Sequence, residues 1–316
     1  MSEMKKKISI VTLGCKVNQC ESESIANCLK QEGYEIVDFS EKADVYVINT
    51  CTVTAEADRK SRQIIRRAKK INPNSKVLVC GCYSQHDAPA AEKLGADVIG
   101  GSGDREAFLS NIFAAVQEKH SFCQVDNALS RHDFEILPPG GLDERTRAML
   151  KVQDGCQNFC TYCIIPYTRG PIRSASVELA CTQAQELYHK GYQEIVITGI
   201  EIASWGRDLP GKPDLAVLLK ALADAVPTMR LRLGSLEPRI ITEEFLGKIS
   251  ESPKLCPHFH LSLQSACNDT LKRMNRKYTI EEFNTFKDKM SNYSFEPFVN
   301  FRSGNFNCNG STVRTF

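Results

Sequence analysis

Long apolar runs, a surplus of charge of either sign and thiols paired with histidine are all scarce in this 316-residue sequence. No apolar stretch approaches the roughly 20 residues that a membrane-crossing helix needs, which excludes a helical span and, with it, a membrane partner. Forty Lys and Arg stand against 38 Asp and Glu, a net charge of +2, so a polyanionic partner must be held by local basic patches and not by a whole-chain field. No export signal is expected either. The basic start Met1–Lys7 leads into an apolar run, Ile8–Leu13, that is too short and ends in Gly14-Cys15-Lys16; a first strand suits it better. Fourteen cysteines without such a signal argue against a disulfide framework and for a reducing, cytoplasmic setting in which thiols serve metals. Composition is ordinary for a globular protein, with 42% hydrophobic and 25% charged residues, and the length suffices for two cores.

What the sequence does have is a dense run of thiols, Gly155-Cys156-Gln157-Asn158-Phe159-Cys160-Thr161-Tyr162-Cys163, with C-x3-C-x2-C spacing. Three thiolates can hold three irons of a cubane and leave the fourth iron open for a substrate, whereas most iron–sulfur proteins use four cysteines. Zinc is the competing occupant, but structural zinc usually takes four ligands in paired C-x2-C form, and His189 sits in no such pairing. The run resembles the motif of radical S-adenosylmethionine (SAM) enzymes, which Tyr162 before the last Cys also fits. That resemblance implies that the amino and carboxylate groups of SAM take the vacant iron.

Around this run the chain reads as α/β in two parts. Over residues 1–122, short β-branched runs alternate with helix-period segments: strands at Ile8–Leu13, Val45–Asn49 and Lys76–Cys80, and helices at Glu21–Glu32, Ala55–Ile71 and Arg105–Glu118. Such alternation predicts a doubly wound parallel sheet. Cys15, Cys51 and Cys82 each follow a strand, the edge where open α/β sheets bind ligands, and Gly14 and Gly81 let the backbone come close. A second three-thiol site or plain packing of strand ends both suit these residues; Cys20, Cys28 and Cys80 read as packing. Arg59, Lys60, Arg62, Arg66, Arg67, Lys69 and Lys70 make a basic helix stripe, either a solvated face or a phosphate contact.

Residues 123–141 form a linker ending in Pro138-Pro139-Gly140-Gly141. Residues 142–290 then alternate strands (Ala148–Val152, Glu194–Thr198, Arg230–Leu233, His258–Leu263) with helices (Val177–His189, Leu215–Ala225, Glu243–Ser250, Ile280–Met290). Four such units, with the thiol run after the first strand, predict a parallel β/α barrel, open or closed, whose chemistry sits on loops at the strand carboxyl ends. There Gly199 (in Thr198-Gly199-Ile200-Glu201), Glu237 (in Ser235-Leu236-Glu237-Pro238) and Gln264 with Ser262 and Ser265 are candidate SAM contacts or ordinary loop and cap residues. Arg169 and Arg173 can serve a phosphate, the SAM carboxylate or a protein carboxylate.

Gly14-Cys15-Lys16-Val17-Asn18, Asn49-Thr50-Cys51-Thr52-Val53 and Gly81-Cys82-Tyr83 resemble the N-terminal domain of methylthiotransferases. Asp154-Gly155-Cys156 through Arg169-Gly170, with Leu261-Ser262-Leu263-Gln264-Ser265, resembles their radical SAM core, and the match runs from about residue 7 to about residue 290. The resemblance implies two [4Fe–4S] clusters. Cys15, Cys51 and Cys82 would hold an auxiliary cluster for sulfur delivery, and Cys156, Cys160 and Cys163 the SAM-cleaving one. It implies one SAM as methyl donor and another as source of a 5′-deoxyadenosyl radical; Tyr162, Gly199, Glu237 and Gln264 are the candidate SAM contacts. A tRNA substrate, a sulfur donor and an electron donor such as a flavodoxin or ferredoxin are implied as partners. Gly14–Asn18, Gln157-Asn158-Phe159 and Thr198-Gly199-Ile200 are most similar to the branch acting on N6-threonylcarbamoyladenosine, as against isopentenyladenosine or a ribosomal-protein aspartate. Residues 291–316 depart from the pattern, with no Leu or Ile and five Asn. They predict an aberrant tail unable to supply a buried parallel strand, a truncated partial barrel, no RNA-binding barrel domain and weak or absent turnover on tRNA. Ala266 and Glu201 also depart from the family's usual residues.

Overall fold

The computed structural model describes residues 5–117, 122–140, 146–293 and 295–301, with side chains to residue 295. Glu118, Gly141 and residues 302–316, on which parts of the reading above fall, lie outside the described residues. Two compact units divide the chain: Met1–Glu144 with Ile164–Pro171, and Arg145–Cys163 with Ile172–Phe316.

In the first unit β1 (Lys7–Thr12), β2 (Glu35–Val37), β3 (Val45–Thr50), β4 (Lys76–Gly81), β5 (Val98–Gly100) and β6 (Phe122–Gln124) form one parallel sheet in the order β2-β1-β3-β4-β5-β6. Every residue of β3 is buried, as a central parallel strand covered on both faces must be. Val45 and Val47 pack with Ile8, Leu78, Ile25 and Leu29 of α1 (Lys16–Gln31), and Phe108 and Ile112 of α5 (Arg105–Gln117). The alternate residues Tyr46 and Ile48 pack with Val77, Val79 and with Ile65 and Ala68 of α2 (Ala55–Ile71). Short helices α3 (Cys82–His86) and α4 (Ala88–Lys93) follow β4, and α6 (Ile165–Arg169) joins this unit from beyond the thiol run.

Three sequence expectations need correction here. Helix α1 begins at Lys16, five residues before Glu21, because Gly14 turns the chain at φ +98° and Cys15 is already the N-cap. Linker residues 123 and 124 instead complete β6, a three-residue exposed edge strand too short and polar to show in the sequence pattern. Residues 164–171, expected inside the barrel core, pack with the first unit.

The second unit is the expected partial β/α barrel. Strands β7 (Arg147–Asp154), β9 (Glu194–Gly199) and β10 (Arg230–Leu233) run parallel in the order β10-β9-β7-β8, the two-residue β8 (Arg173–Ser174) lying antiparallel against the end of β7. Gly234 alone separates β10 from β11 (Ser235–Leu236), which continues the wall in parallel with β12 (His258–Gln264) and β13 (Glu296–Phe301). Helices α7 (Val177–His189), α8 (Leu215–Ala225), α9 (Glu243–Ser250) and α11 (Ile280–Asn292) follow successive strands; short α10 (Asn268–Arg273) precedes α11. Ser176, Asp214, Thr242 and Thr279 cap the four longer helices by accepting from backbone N–H groups in the first turn.

Strand β13 corrects the expectation of no parallel strand for residues 296–301, while the rest of the tail expectation, residues 302–316, lies outside the described residues. It pairs with β12 from His258↔Glu296 through Leu261↔Val299 to Gln264↔Phe301. Backbone pairing needs an extended segment of sufficient β-propensity, which Phe298, Val299 and Phe301 supply without Leu or Ile. Pro297, unable to donate to a ladder, is tolerated because β13 has β12 as its one strand neighbour among the described residues. No helix of the described residues is long and apolar enough to cross a membrane.

Candidate metal centres

The first trio sits at the carboxyl ends of β1, β3 and β4, and Cys15 and Cys51 flank the point between β1 and β3 where the winding of the sheet reverses. Open α/β sheets bind ligands in this crevice. Cys15 caps α1, Cys51 follows β3, and Cys82 opens α3 directly after Gly81 at φ +102°. The connecting loops are fixed by side chains. Asn18 Nδ2 donates to the carbonyls of Leu13 (2.8 Å) and Thr50 (2.9 Å), tying the end of β1 to that of β3. Ser61 Oγ of α2 accepts from the Cys51 N–H (3.3 Å) and donates to its carbonyl (2.9 Å). At Gly14 a Cβ would lie 2.7 Å from Cys51 Cβ and 2.8 Å from its sulfur. Glycine there is what lets the Cys15 turn pass so close to Cys51.

Burial pushes the Cys51 thiol up to about 11; nearby Cys82 and Cys15 push the same way, and Arg169 opposes them. Cys80, wholly buried in the core, is likewise pushed up to about 11 by burial, the behaviour of an inert packing thiol.

Beside the trio lies a buried ion network. Glu21, Arg105 and Arg169 have no exposed side-chain surface. Glu21 accepts from Arg105 Nη2 at 2.8 Å and Arg169 Nη1 at 2.6 Å. Arg169 also donates through Nε to the Cys82 sulfur at 3.4 Å and through Nη2 to Asn18 Oδ1. Of the partners left open for the two arginines, Arg169 therefore meets a protein carboxylate, and so does Arg173, 3.6 Å from Asp154. Glu21 lies on the stripe Val17–Glu21–Ile25–Leu29, and an acid in such an i, i+4 apolar series was the available signal for it.

The second trio lies on the loop after β7. Gly155 (φ +73°) and Phe159 (φ +44°) take left-handed conformations that coil the loop tightly. The segment after α10 braces it: Asn275 Nδ2 donates to the carbonyls of Asn158 (3.3 Å) and Phe159 (3.0 Å), and Thr161 Oγ1 donates to the Arg273 carbonyl (2.9 Å). Arg276 places Nη1 3.5 Å from the Cys160 sulfur and Nη2 3.1 Å from the Ser262 carbonyl. Neither Asn275 nor Arg276 stood out in the sequence, since both follow the loop by more than a hundred residues. Burial pushes the Cys156 thiol up to about 12, aided by Glu201, Cys163 and Cys160.

The four candidate SAM residues lie on this unit, three of them at strand carboxyl ends. Gly199 ends β9, and a Cβ there would meet Ile202 Cγ2 at 2.7 Å and Gln153 Oε1 at 2.8 Å. Gln264 ends β12 at φ +71°, at a break in the pairing register with β13. Glu237 follows β11 and accepts from Arg239 Nε (2.9 Å) and the Arg239 N–H (3.1 Å), so the structure uses it as a cap. Tyr162 is half-buried within the thiol loop. Glu201, after Gly199, accepts from Asn158 Nδ2 at 3.2 Å, linking the thiol loop to the end of β9. Burial, with Glu237 nearby, pushes the Glu201 carboxyl up to about 7.

Among the described residues no group of three or more Cys, His, Asp or Glu is arranged to hold a single metal ion. Each trio does suit a larger inorganic core: three soft thiol donors from a fixed frame, with the close approach that left-handed glycines permit.

The chain matches an uncharacterized protein family, UPF0004, over residues 7–100 and the radical SAM superfamily over residues 150–300. It is 44% identical over 278 residues to the threonylcarbamoyladenosine tRNA methylthiotransferase MtaB of Bacillus subtilis (strain 168), covering 87% of this chain and 61% of that protein. To the protein of the same name from Aquifex aeolicus (strain VF5) it is 38% identical, covering 88% of this chain and 67% of that one. The chain belongs to the radical SAM methylthiotransferase family. It spans 61% and 67% of these two methylthiotransferases. The radical SAM methylthiotransferases use SAM and [4Fe–4S] clusters. Among solved structures, the radical SAM methyltransferase TsrM from Kitasatospora setae resembles it with a TM-score of 0.62 at 15% identity, covering 93% of this chain and 67% of that one. That is a likeness of fold alone.

Proposed function

We propose that this chain carries out radical SAM-dependent methylthiolation at C2 of N6-threonylcarbamoyladenosine in tRNA, in the cytoplasm. Cys156, Cys160 and Cys163 hold the cluster that takes SAM, and Cys15, Cys51 and Cys82 hold an auxiliary cluster for sulfur transfer. The observation that carries this reading is the pair of three-thiol sites, each at the carboxyl edge of a parallel sheet and each one donor short of a closed cubane. Bound there, the clusters and SAM supply one-electron chemistry, a methyl group and sulfur that no side chain can provide.

The chain's own residues set the stage. Asn275 and Thr161 hold the second loop coiled, and Arg276 places a cation beside Cys160. Tyr162 on the thiol loop and Gly199, Glu237 and Gln264 at strand carboxyl ends would hold SAM. The basic face of α2, with Arg59, Arg62, Arg66, Arg67 and Lys70, supports a polyanionic substrate. A sulfur donor and a reductant such as a flavodoxin or ferredoxin complete the set of partners.

Anaerobic reconstitution followed by iron and sulfide analysis tests the cluster assignment. About eight irons per chain are expected, and about four when either trio is replaced by alanine. Incubation with SAM, sulfide, reductant and tRNA, followed by nucleoside mass spectrometry, tests the substrate. A methylthio group on isopentenyladenosine and none on threonylcarbamoyladenosine refutes the threonylcarbamoyladenosine assignment.

A further inference from the structure

Arg169 has no exposed side-chain surface, is held by the Glu21 carboxylate and points its Nε at the Cys82 sulfur. We propose that Arg169 is a positioning residue for the cluster on Cys15, Cys51 and Cys82, fixing the Cys82 ligand and raising the cluster's reduction potential. This inference rests on the assignment of that trio as a cluster site.

The geometry runs in a short chain. Arg169 Nε donates to the Cys82 sulfur at 3.4 Å, and its Nη2 holds Asn18 Oδ1. The same Asn18 oxygen accepts from the Cys15 thiol at 3.6 Å. The Asn18 amide cannot turn over, because its nitrogen is committed to the Leu13 and Thr50 carbonyls. One guanidinium therefore reaches the Cys82 ligand position directly and holds the Asn18 amide that lies beside Cys15.

The buried arginines Arg105 and Arg169 share Glu21, and Glu135 is a further acid acting on Arg105. A [4Fe–4S] core with three thiolates carries one net negative charge when oxidised and two when reduced. A fixed cation at the ligand sulfur stabilises the more negative, reduced form, and so raises the potential. The Glu21 carboxylate, 2.6 Å from Nη1, and the Ser102 carbonyl, 3.4 Å from the same atom, fix the orientation of the fork. Lysine at this position would keep the charge and lose that fork.

The test uses the full chain with Cys156, Cys160 and Cys163 replaced by alanine, so that one cluster remains. Arg169→Met and Arg169→Lys are added to it, and each protein is analysed for iron and titrated with dithionite under electron paramagnetic resonance. Arg169→Met is expected to shift the reduced-to-oxidised ratio at least tenfold toward oxidised, about 59 mV for one electron, and Arg169→Lys to recover most of that shift. Loss of iron from a folded Arg169→Met protein, restored by Arg169→Lys, also supports the proposal. Full iron with an unchanged potential in Arg169→Met overturns it, as does equal loss of iron in both variants. A parent protein that binds no iron refutes the cluster assignment itself.

Discussion

Replacing Glu21 by Gln removes the one carboxylate that separates two buried guanidiniums. Glu21 accepts from Arg105 Nη2 at 2.8 Å and from Arg169 Nη1 at 2.6 Å, with a further contact to Arg169 Nη2 at 3.3 Å. Glutamine has almost the same shape, so packing is preserved while the charge is lost. Breaking a buried pair on one side typically destabilises by about 3–5 kcal/mol, because the partner charge is left uncompensated in a medium that solvates it poorly. Glu135 still acts on Arg105, so the middle of that range, about 4 kcal/mol, applies. Against a total stability of about 5–15 kcal/mol, that is a large fraction. With a urea slope of about 2 kcal/mol per molar, the unfolding midpoint of the iron-free protein should fall by about 2 M, read by circular dichroism under anaerobic, reducing conditions. A second replacement, Arg105→Met on the Glu21→Gln background, takes away one of the stranded charges. It should recover part of the loss, giving a coupling energy well above the few tenths expected of independent sites. A midpoint within about 0.5 M of wild type for Glu21→Gln, or simple additivity of the two changes, would refute the view that this network is dry and charge-balanced.

Gly14→Ala forces a side chain onto a residue at φ +98° with its Cβ 2.7 Å from Cys51 Cβ; the first trio should lose its iron while the second keeps about four per chain. Glu201 links its titration to stability in the iron-free protein. Its folded pKa of about 7 stands above the ordinary value of about 4.3, so the folded state binds the extra proton. Stability from this group is full below pH ~4.3 and is lost as pH rises to about 7, by something on the order of 3 kcal/mol. Urea titrations across that window should slope downward, and Glu201→Gln should flatten them; parallel curves would count against the burial of this carboxyl. Asn275→Ala removes both donors that hold the Asn158 and Phe159 carbonyls and should speed release of the second cluster to a chelator severalfold, leaving the first unaffected.

The long elements were legible because periodicity and caps agreed. Ala55–Ile71, Val177–His189, Leu215–Ala225 and Glu243–Ser250 are helices with the bounds that apolar spacing suggests. Short elements were not legible: three residues of β2 or β6 carry no usable period, and their strand character comes from the neighbour they pair with. The tail misled for a related reason, since the lack of Leu and Ile speaks to burial of side chains and not to the backbone pairing that β13 makes. At the sites, cysteines stood out by spacing and by their place after strands. Glu21, Arg105, Asn275 and Arg276 did not, because each acts on a thiol or loop distant in sequence, and ion-pair partners are chosen by the fold.

Segment Ile164–Pro171 has a practical consequence for anyone dissecting this protein. The chain leaves the first unit near residue 144, returns for eight residues and leaves again, so no single cut releases an intact N-terminal half. A fragment stopped at the Pro-rich stretch would carry Glu21 and Cys82 but lack Arg169, and with it the cation that both of them face. Poor behaviour of such a fragment would reflect a hole in its own interior, and supplying residues 164–171 on a tether is the way to fill it.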